Sequence, residues 1–427
     1  MTGGYVIERL QALEILDSRG RPTLGVRVEL ASGASGHAGV PSGASTGSRE
    51  AVERRDGDLS RFGGAGVLGA AEAVRGEIAR ELCRRRWSSL ASIDAALVAL
   101  DASPDRSRLG ANALVGVSMA TARAMARQDG LPLYRWLAPP GVNPRLPVPH
   151  FNVLNGGRHA ANPLVFQEFM VAPLGAWNFP EALRSGTEIY SALRRRLAAA
   201  GWSTGLGDEG GFAPDIAEPQ QALNFIVGAV RDAGYELGPA GVAIALDPAA
   251  SEFRARDGVY QLGEELLDSV ELVERYRNLV DRYPIWSVED GLAEDDWAGW
   301  RSMTQTLGDR LQLVGDDIFV TQKATIAEGI AQGVGNAALI KLNQVGTVTE
   351  TLEAMALCRE AAYGQMVSHR SGETDDAFIA DLAVASGCGQ IKAGAPARGE
   401  RVAKYNRLLE ISAELGPSAA YGLPAGE

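Results

Sequence analysis

Apolar and polar positions alternate near the start of the chain, with Leu24, Val26, Val28 and Leu30 on one side and Gly25, Arg27 and Glu29 on the other. A period of two predicts a half-buried strand. Residues 6–16, ahead of Asp17-Ser18-Arg19-Gly20 and Pro22, read as its hairpin partner across a turn. Helical patterns follow over 67–86 and 111–127, the second rich in alanine and so suited to close helix packing. From residue 243 the pattern changes. Short apolar runs, too short for helices and mostly rich in β-branched residues, each stop on a residue able to bind a metal, a proton or an anion. Residues 243–246 stop at Asp247, 285–288 at Glu289, 311–315 at Asp316, 337–340 at Lys341, 366–368 at His369 and Arg370, and 390–391 at Lys392.

Between these runs lie segments of helical character, such as 270–282 and 347–361. Strands alternating with helices, with run ends roughly 20–40 residues apart, read as βα units. In a barrel of such units the strands run parallel, and their C-terminal ends gather at the face where active sites sit. Three acids and two lysines would then point into one cup. A single apolar run ending in a charge is ordinary because loops are polar; six in succession are not. The 427-residue chain accommodates such a barrel and a second domain. Pro139-Pro140-Gly141-Val142-Asn143-Pro144 is the strongest boundary signal. The expected fold class is therefore α/β, a C-terminal TIM-like (β/α)8 barrel over 141–427 with an N-terminal α+β capping domain over 1–140. The tail from Gly416, rich in proline, glycine and alanine, is expected to fray.

A net charge of −12 argues against nucleic acid or an anionic membrane surface as the main partner, and makes each lysine near an anionic substrate informative. Cys83, Cys358 and Cys388, odd in number and widely spaced, form neither a disulfide framework nor a zinc motif and read as small buried residues. No secretory leader is visible, and no apolar run approaches the ~20 residues of a membrane span, so the expected address is the cytoplasm.

Two glycine-rich segments carry further chemistry. Gly207-Asp208-Glu209-Gly210-Gly211-Phe212-Ala213-Pro214 places two acids in a turn. Acidic turns are commonly solvated, but flanking glycines also let a carboxylate project into a site. Asn155-Gly156-Gly157-Arg158-His159, followed by Gln167-Glu168-Phe169, sets a histidine in a flexible loop ahead of a polar strand. Lone histidines are more often structural; of only four in the chain, His159 and His369 both fall in glycine- or serine-rich loops. Pro41-Ser42-Gly43-Ala44-Ser45-Thr46-Gly47 is a small-residue loop, expected to be mobile, whose backbone can approach an anion.

Taken together and in order, these motifs resemble the enolase (phosphopyruvate hydratase) family over nearly the whole chain. Ile15-Leu16-Asp17-Ser18-Arg19-Gly20, Arg55-Asp56-Gly57-Asp58 and Leu109-Gly110-Ala111-Asn112-Ala113 extend the match. The resemblance implies a Mg²⁺-dependent lyase that dehydrates 2-phosphoglycerate to phosphoenolpyruvate. The enolase superfamily is itself the standing example of a lysine or histidine base working with one or two Mg²⁺. Carried over by position, Asp247, Glu289 and Asp316 would hold one Mg²⁺, and Ser45 would help hold the second of two per active site. Lys341 would be the base, its pKa lowered by neighbouring cations. Glu209 would be the general acid with Glu168 assisting. Lys392 would pair with the substrate carboxylate, and Arg370 and Ser371 would grip the phosphate. His159, on a second closing loop, Gln167 and His369 complete the substrate-binding set. Asp208, Asp290, Asp317 and Glu252 read as structural.

The resemblance also implies a small anionic phosphorylated (or phosphonate) three-carbon acid as substrate and a homodimer or higher homo-oligomer. Several neighbouring positions depart from the family's usual residues: Pro248, Ala393, Gly399, His150-Phe151, Arg158 and Ser191. Trimmed side chains at 393 and 399 and an added cation at Arg158 suit a larger or more charged substrate. One alternative is thus a paralogue forming carboxyphosphonoenolpyruvate in phosphonate natural-product biosynthesis, although ordinary drift accounts for the same list. A non-catalytic binding protein is a further alternative. In the family that role leans on C-terminal lysines, and Leu423-Pro424-Ala425-Gly426-Glu427 has none.

Overall fold

The structure, a computed structural model, describes residues 4–44, 47–255 and 258–424. The alternating segment forms β2 (Pro22–Leu30), between β1 (Tyr5–Leu16) and β3 (Ser35–Gly39). Leu24, Val26, Val28 and Leu30 are all buried on one face, as the period of two requires. The segment expected to be one helix over 67–86 is broken. α1 (Leu68–Ala73) passes through a π turn at Val74–Ile78 into α2 (Ala79–Leu82). Cys83 then turns extended, and β4 (Arg86–Trp87) pairs with β1, giving an antiparallel sheet in the order β3-β2-β1-β4.

α3 (Leu90–Asp101) is followed by α4 (Ala111–Gln128), which lies on β2 and β3. The alanine-rich face allows a close approach. A Cβ on Gly36 would stand 2.1 Å from the Ala120 carbonyl oxygen, so only glycine fits there. α5 (Leu133–Trp136) leads into the barrel.

The barrel begins with a hairpin, β5 (Val148–Asn155) and β6 (Glu168–Ala172), then α6 (Phe179–Ala199) and α7 (Pro219–Asp232). After β7 (Ala243–Asp247) comes a small hairpin, β8 (Tyr260–Leu262) and β9 (Glu265–Leu267), outside the barrel wall. α8 (Ser269–Val280), β10 (Ile285–Glu289), α9 (Trp297–Leu307), β11 (Gln312–Gly315), α10 (Lys323–Gln332) and β12 (Ala337–Ile340) follow. α11 (Val348–Glu360), β13 (Gly364–Ser368), α12 (Phe378–Ser386), β14 (Gln390–Gly394) and α13 (Gly399–Leu415) complete it. The strands close as β10-β11-β12-β13-β14-β5-β6-β7.

One strand departs from the parallel arrangement expected of the units. β6 runs antiparallel to both β5 and β7, while the other neighbouring pairs are parallel. Its first residue, Glu168, therefore lies at the rim where the other strands end, opposite Asn155 on β5 and Asp247 on β7. The tail is also more ordered than its composition suggests. Leu146 N–H donates to the Ala420 carbonyl at 2.8 Å, Gly422 N–H returns to Leu146 at 3.1 Å, and Tyr421 Oη donates to the Pro173 carbonyl at 3.1 Å. Those bonds seal 417–424 against the barrel.

Candidate active site

Period-two geometry sends alternate residues of each strand inward. On β14, Ile391 and Ala393 join the core outside the barrel while Lys392 points into the pocket. Its ammonium reaches Asp247 Oδ2 at 2.9 Å, Glu289 Oε1 at 2.8 Å and Glu168 Oε1 at 3.2 Å. Lys341, one residue past β12, donates to Asp316 Oδ2, one residue past β11. Glu168, Asp247, Asp316, Lys341 and Lys392 line one small pocket with His159, Gln167, Glu209, Ser368, His369, Arg370 and Ser371, and Glu289 joins it through Lys392. Every described residue singled out from the sequence as catalytic or substrate-binding lines this pocket. Ser45, on the small-residue loop, lies outside the described residues.

Asp247, Glu289 and Asp316 end three adjacent strands, yet lysines stand among them. Lys392 bridges Asp247 and Glu289, and Lys341 pairs with Asp316. The groupings with ligand atoms mutually close enough for one ion, among the described residues, are His159–Glu168–Glu209 and Asp290–Asp316–Asp317. The three expected ligands are thus neighbours but not a closed trio. Opposite charge explains this, because each buried ammonium draws the nearest carboxylates to itself. The donor set still fits a hard divalent cation. Asp247, Glu289 and Asp316 offer carboxylate oxygens, the donors such an ion prefers, and each already draws a buried ammonium to itself. Asp290 has a supporting part: its two carboxylate oxygens accept the Asp316 and Asp317 backbone amides, each at 2.9 Å.

The protonation pattern follows from burial and neighbours. Burial, with Asp247 adding to it, pushes Glu289 well above the usual carboxylate range. Burial and the charge of Glu209 do the same to Glu168. Burial also works against ionised Glu209, but His369 and His159 outweigh it and hold Glu209 well below that range. For Lys341, burial disfavours the ammonium, yet Asp316 beside it wins and raises the pKa. The lowering expected from neighbouring cations is present, in Arg370 and Lys392, but is the weaker effect.

Glu209 sits in a close-built corner. Asn152 Nδ2 donates to its Oε2 at 2.9 Å, and His369 Nε2 faces the same oxygen at 3.2 Å. Arg401 donates to His369 Nδ1 at 2.6 Å. An arginine cannot accept, so Nδ1 carries no proton and the imidazole proton lies on Nε2, toward Glu209. Burial pushes the His369 pKa down to about 4, so the ring is neutral. His159 Nδ1 lies 3.5 Å from Glu168 and 3.7 Å from Glu209, between the two acids. A Cβ on Gly207 would stand 2.7 Å from both Asn155 Cβ and the His159 carbonyl, so the turn needs glycine to pack there.

Three contributors went unread in the sequence. Arg401, fully buried on α13, also donates to the carbonyls of Arg370 and Ser371, each at 2.6 Å, and of Asp208 at 3.1 Å. Gln344 Nε2 donates to Asp316 Oδ1 at 2.9 Å. Glu50 pairs with Arg370 at 2.8 Å. None ends an apolar run, so strand periodicity could not expose them.

None of the departures noted in the sequence lines the pocket. Arg158 pairs with Glu252 at 3.5 Å and is more than half exposed. Ala393 is in the core, and Ser191 is exposed on α6. A Cβ on Gly399 would meet nothing within 4 Å, and Gly399 is not among the residues that line the pocket. His150 is fully buried and packs on Trp286 at 5.5 Å between ring centroids.

A barrel rim of this kind, with buried lysines set among carboxylates beside an arginine, belongs to lyases that lift a proton from beside a carboxylate with help from divalent cations. Residues 7–137 match the family described as enolase, N-terminal domain, and residues 143–425 the family described as enolase, C-terminal TIM barrel domain. The chain is 54% identical over 417 residues to the enolase of Rubrobacter xylanophilus, covering 97% of this chain and 96% of that protein. It is 55% identical over 416 residues to the enolase of Acidothermus cellulolyticus, with the same coverage. The chain belongs to the enolase family.

Proposed function

We propose that the chain dehydrates 2-phosphoglycerate to phosphoenolpyruvate, on the strength of its identity to enolases along nearly its whole length. Members of the family depend on Mg²⁺ and act on a phosphorylated three-carbon acid, generally as oligomers. Two Mg²⁺ per site, a homodimer or larger ring, a cytoplasmic location and a cap–barrel division near residue 140 complete the reading. The convergence of Lys341, Lys392 and Arg370 on one carboxylate-lined pocket supports the assignment of roles.

Lys392 pairs with the substrate carboxylate, and Arg370 and Ser371 grip the phosphate by charge-assisted hydrogen bonds. Lys341 takes the C2 proton. The electron pair left at C2 forms the double bond as the C3–O bond breaks, and the departing hydroxide takes a proton from the Glu209–Glu168 pair to leave as water. One proton on that pair belongs to both acids, with His159 and His369 setting its place. Asp247, Glu289 and Asp316 would hold one Mg²⁺, Ser45 would help with the second, and these ions would stabilise the negative charge that proton removal creates on the carboxylate. The loop that carries His159 closes the pocket over the substrate and excludes water, and Gln167 binds the substrate beside Glu168.

No observation favours the phosphonate paralogue, since none of Arg158, Ala393 and Gly399 lines the pocket. The test is steady-state turnover of 2-phosphoglycerate by the purified chain, with Mg²⁺, after EDTA, and after Mg²⁺ is restored. Robust turnover that EDTA abolishes and Mg²⁺ recovers is expected. Absence of turnover in Mg²⁺, or indifference to EDTA, would overturn the reading.

A further inference from the structure

Glu50 belongs to the N-terminal half of the chain and lines a cleft beside the pocket, with Pro41, Gly43, Gly47 and Asn343, not the pocket itself. Its carboxylate nevertheless takes a fork of hydrogen bonds from Arg370 across 320 residues of chain, NH1 to Oε2 at 2.8 Å and NH2 to Oε1 at 3.1 Å. The pair is almost dry, with side-chain exposures of 3% for Arg370 and 7% for Glu50. Oε1 also accepts from the Gly47 amide at 3.2 Å and from Gln344 Nε2 at 3.1 Å.

Gln344 carries the connection onward. Its Nε2 donates to Asp316 Oδ1 at 2.9 Å, and its Oε1 lies 2.6 Å from Thr321 Oγ1. Thr321 Oγ1 accepts the Lys341 amide at 2.9 Å, which leaves its own proton to donate to Gln344 Oε1. The amide group of Gln344 is thereby oriented with its NH₂ toward both acids. A continuous chain of bonds runs from Arg370 through Glu50 and Gln344 to Asp316 and Lys341.

We propose that Glu50 is a positioning residue of the anion grip. Docked from the cap, it holds the Arg370 guanidinium in the plane that receives the phosphate and ties that grip to the Asp316–Lys341 end of the site. A bidentate pair fixes orientation as well as charge, and a buried guanidinium without such a partner would be both costly and free to turn. Glu50 does not itself line the pocket and reaches it through Arg370 and Gln344, so its effect falls on affinity for the phosphate. This inference rests on the reading of Arg370 as the phosphate ligand.

The experiment uses the full chain with Glu50→Gln, Glu50→Asp, Glu50→Ala and Arg370→Lys. It measures KM and kcat for 2-phosphoglycerate, competitive inhibition by inorganic phosphate and by glycerate, and thermal unfolding. For Glu50→Gln the KM and the phosphate inhibition constant should each rise about tenfold, with kcat changed far less and glycerate inhibition unmoved. Glu50→Ala should be worse, and Glu50→Asp should restore part of the loss. Parallel loss of phosphate and glycerate binding with a lower melting temperature would mean a merely structural role and overturn the proposal. So would wild-type phosphate binding in the Glu50 variants while Arg370→Lys impairs it. An Arg370→Lys variant with unchanged KM and phosphate inhibition would instead refute the phosphate assignment for Arg370.

Discussion

The inside of the barrel ends in ionisable groups at one mouth and in amides at the other. On β11, Gln312, Val314 and Asp316 share the inward face, and on β14 Gln390 and Lys392 do. At the floor, Gln312 Nε2 donates to Gln390 Oε1 at 2.9 Å, Gln390 Nε2 returns to Gln312 Oε1 at 2.6 Å, and Ser287 Oγ lies 3.1 Å away. At the rim the same strands carry Asp316 and Lys392. Between the two layers lies a small apolar cluster of Val314, Ala337, Leu339 and Met366, distinct from the main core. His150 joins the neutral side, because burial pushes its pKa down to about 3.

The difference is one of purpose. Paired amides satisfy each other and need nothing more, so they can be buried permanently. Buried ionisable groups crowded together, by contrast, are costly unless their partners or a ligand complete them. The floor is finished by the chain alone, whereas the rim is built for a guest.

The comparison breaks first if the rim proves inert. Lys341→Ala should lower kcat for 2-phosphoglycerate by about 10²–10⁴-fold, measured beside circular dichroism to verify folding. Retention of more than a tenth of the activity would mean that another group takes the proton.

A buried carboxylate outside the rim sharpens the rule. Asp94 on α3 docks on Thr349 of α11, accepting its amide at 3.0 Å and its hydroxyl at 2.5 Å, while Oδ1 has no partner among the described residues. Burial raises its pKa to about 6, above the ordinary value, so the native state binds this proton more tightly than the unfolded chain does. Its contribution is therefore fully present below about pH 4 and is lost as pH rises through about 6, up to about 3 kcal/mol in all. Asp94→Asn should flatten that fall, read from urea midpoints at pH 4 and pH 7. Equal slopes for variant and parent would show that Asp94 is not buried as a lone acid.

The smallest effect belongs to the floor. Gln312→Leu strands its amide partner and should cost about 1–2 kcal/mol in urea unfolding while leaving kcat within twofold. The double change Gln312→Leu with Gln390→Leu should recover part of that loss, because both partners are then apolar. A large fall in kcat in either variant would erase the distinction between the two mouths.

The rim was largely legible in the sequence, and the reason is local. A strand presents every second residue to one face, so an apolar run ending in Asp247, Glu289, Asp316, Lys341 or Lys392 announces its own direction and its own end. The segments Gly207–Pro214 and Asn155–His159 were legible for their glycines. Glu50 and Arg401 were not, because one sits in the cap and the other inside the last helix, where no periodic signal marks them.

What the sequence determined by itself was which residues stand at the strand ends and which face each occupies, because side-chain alternation is a property of a few consecutive bonds. The tertiary structure alone decided the reversal of β6 that carries Glu168 to the rim. It also decided the choice of Asp316 as partner for Lys341, and the reach of Glu50 across to Arg370. Those outcomes depend on how far apart charges finish once the barrel closes and the cap settles on it, and Coulomb attraction between buried groups acts on that distance, not on separation along the chain.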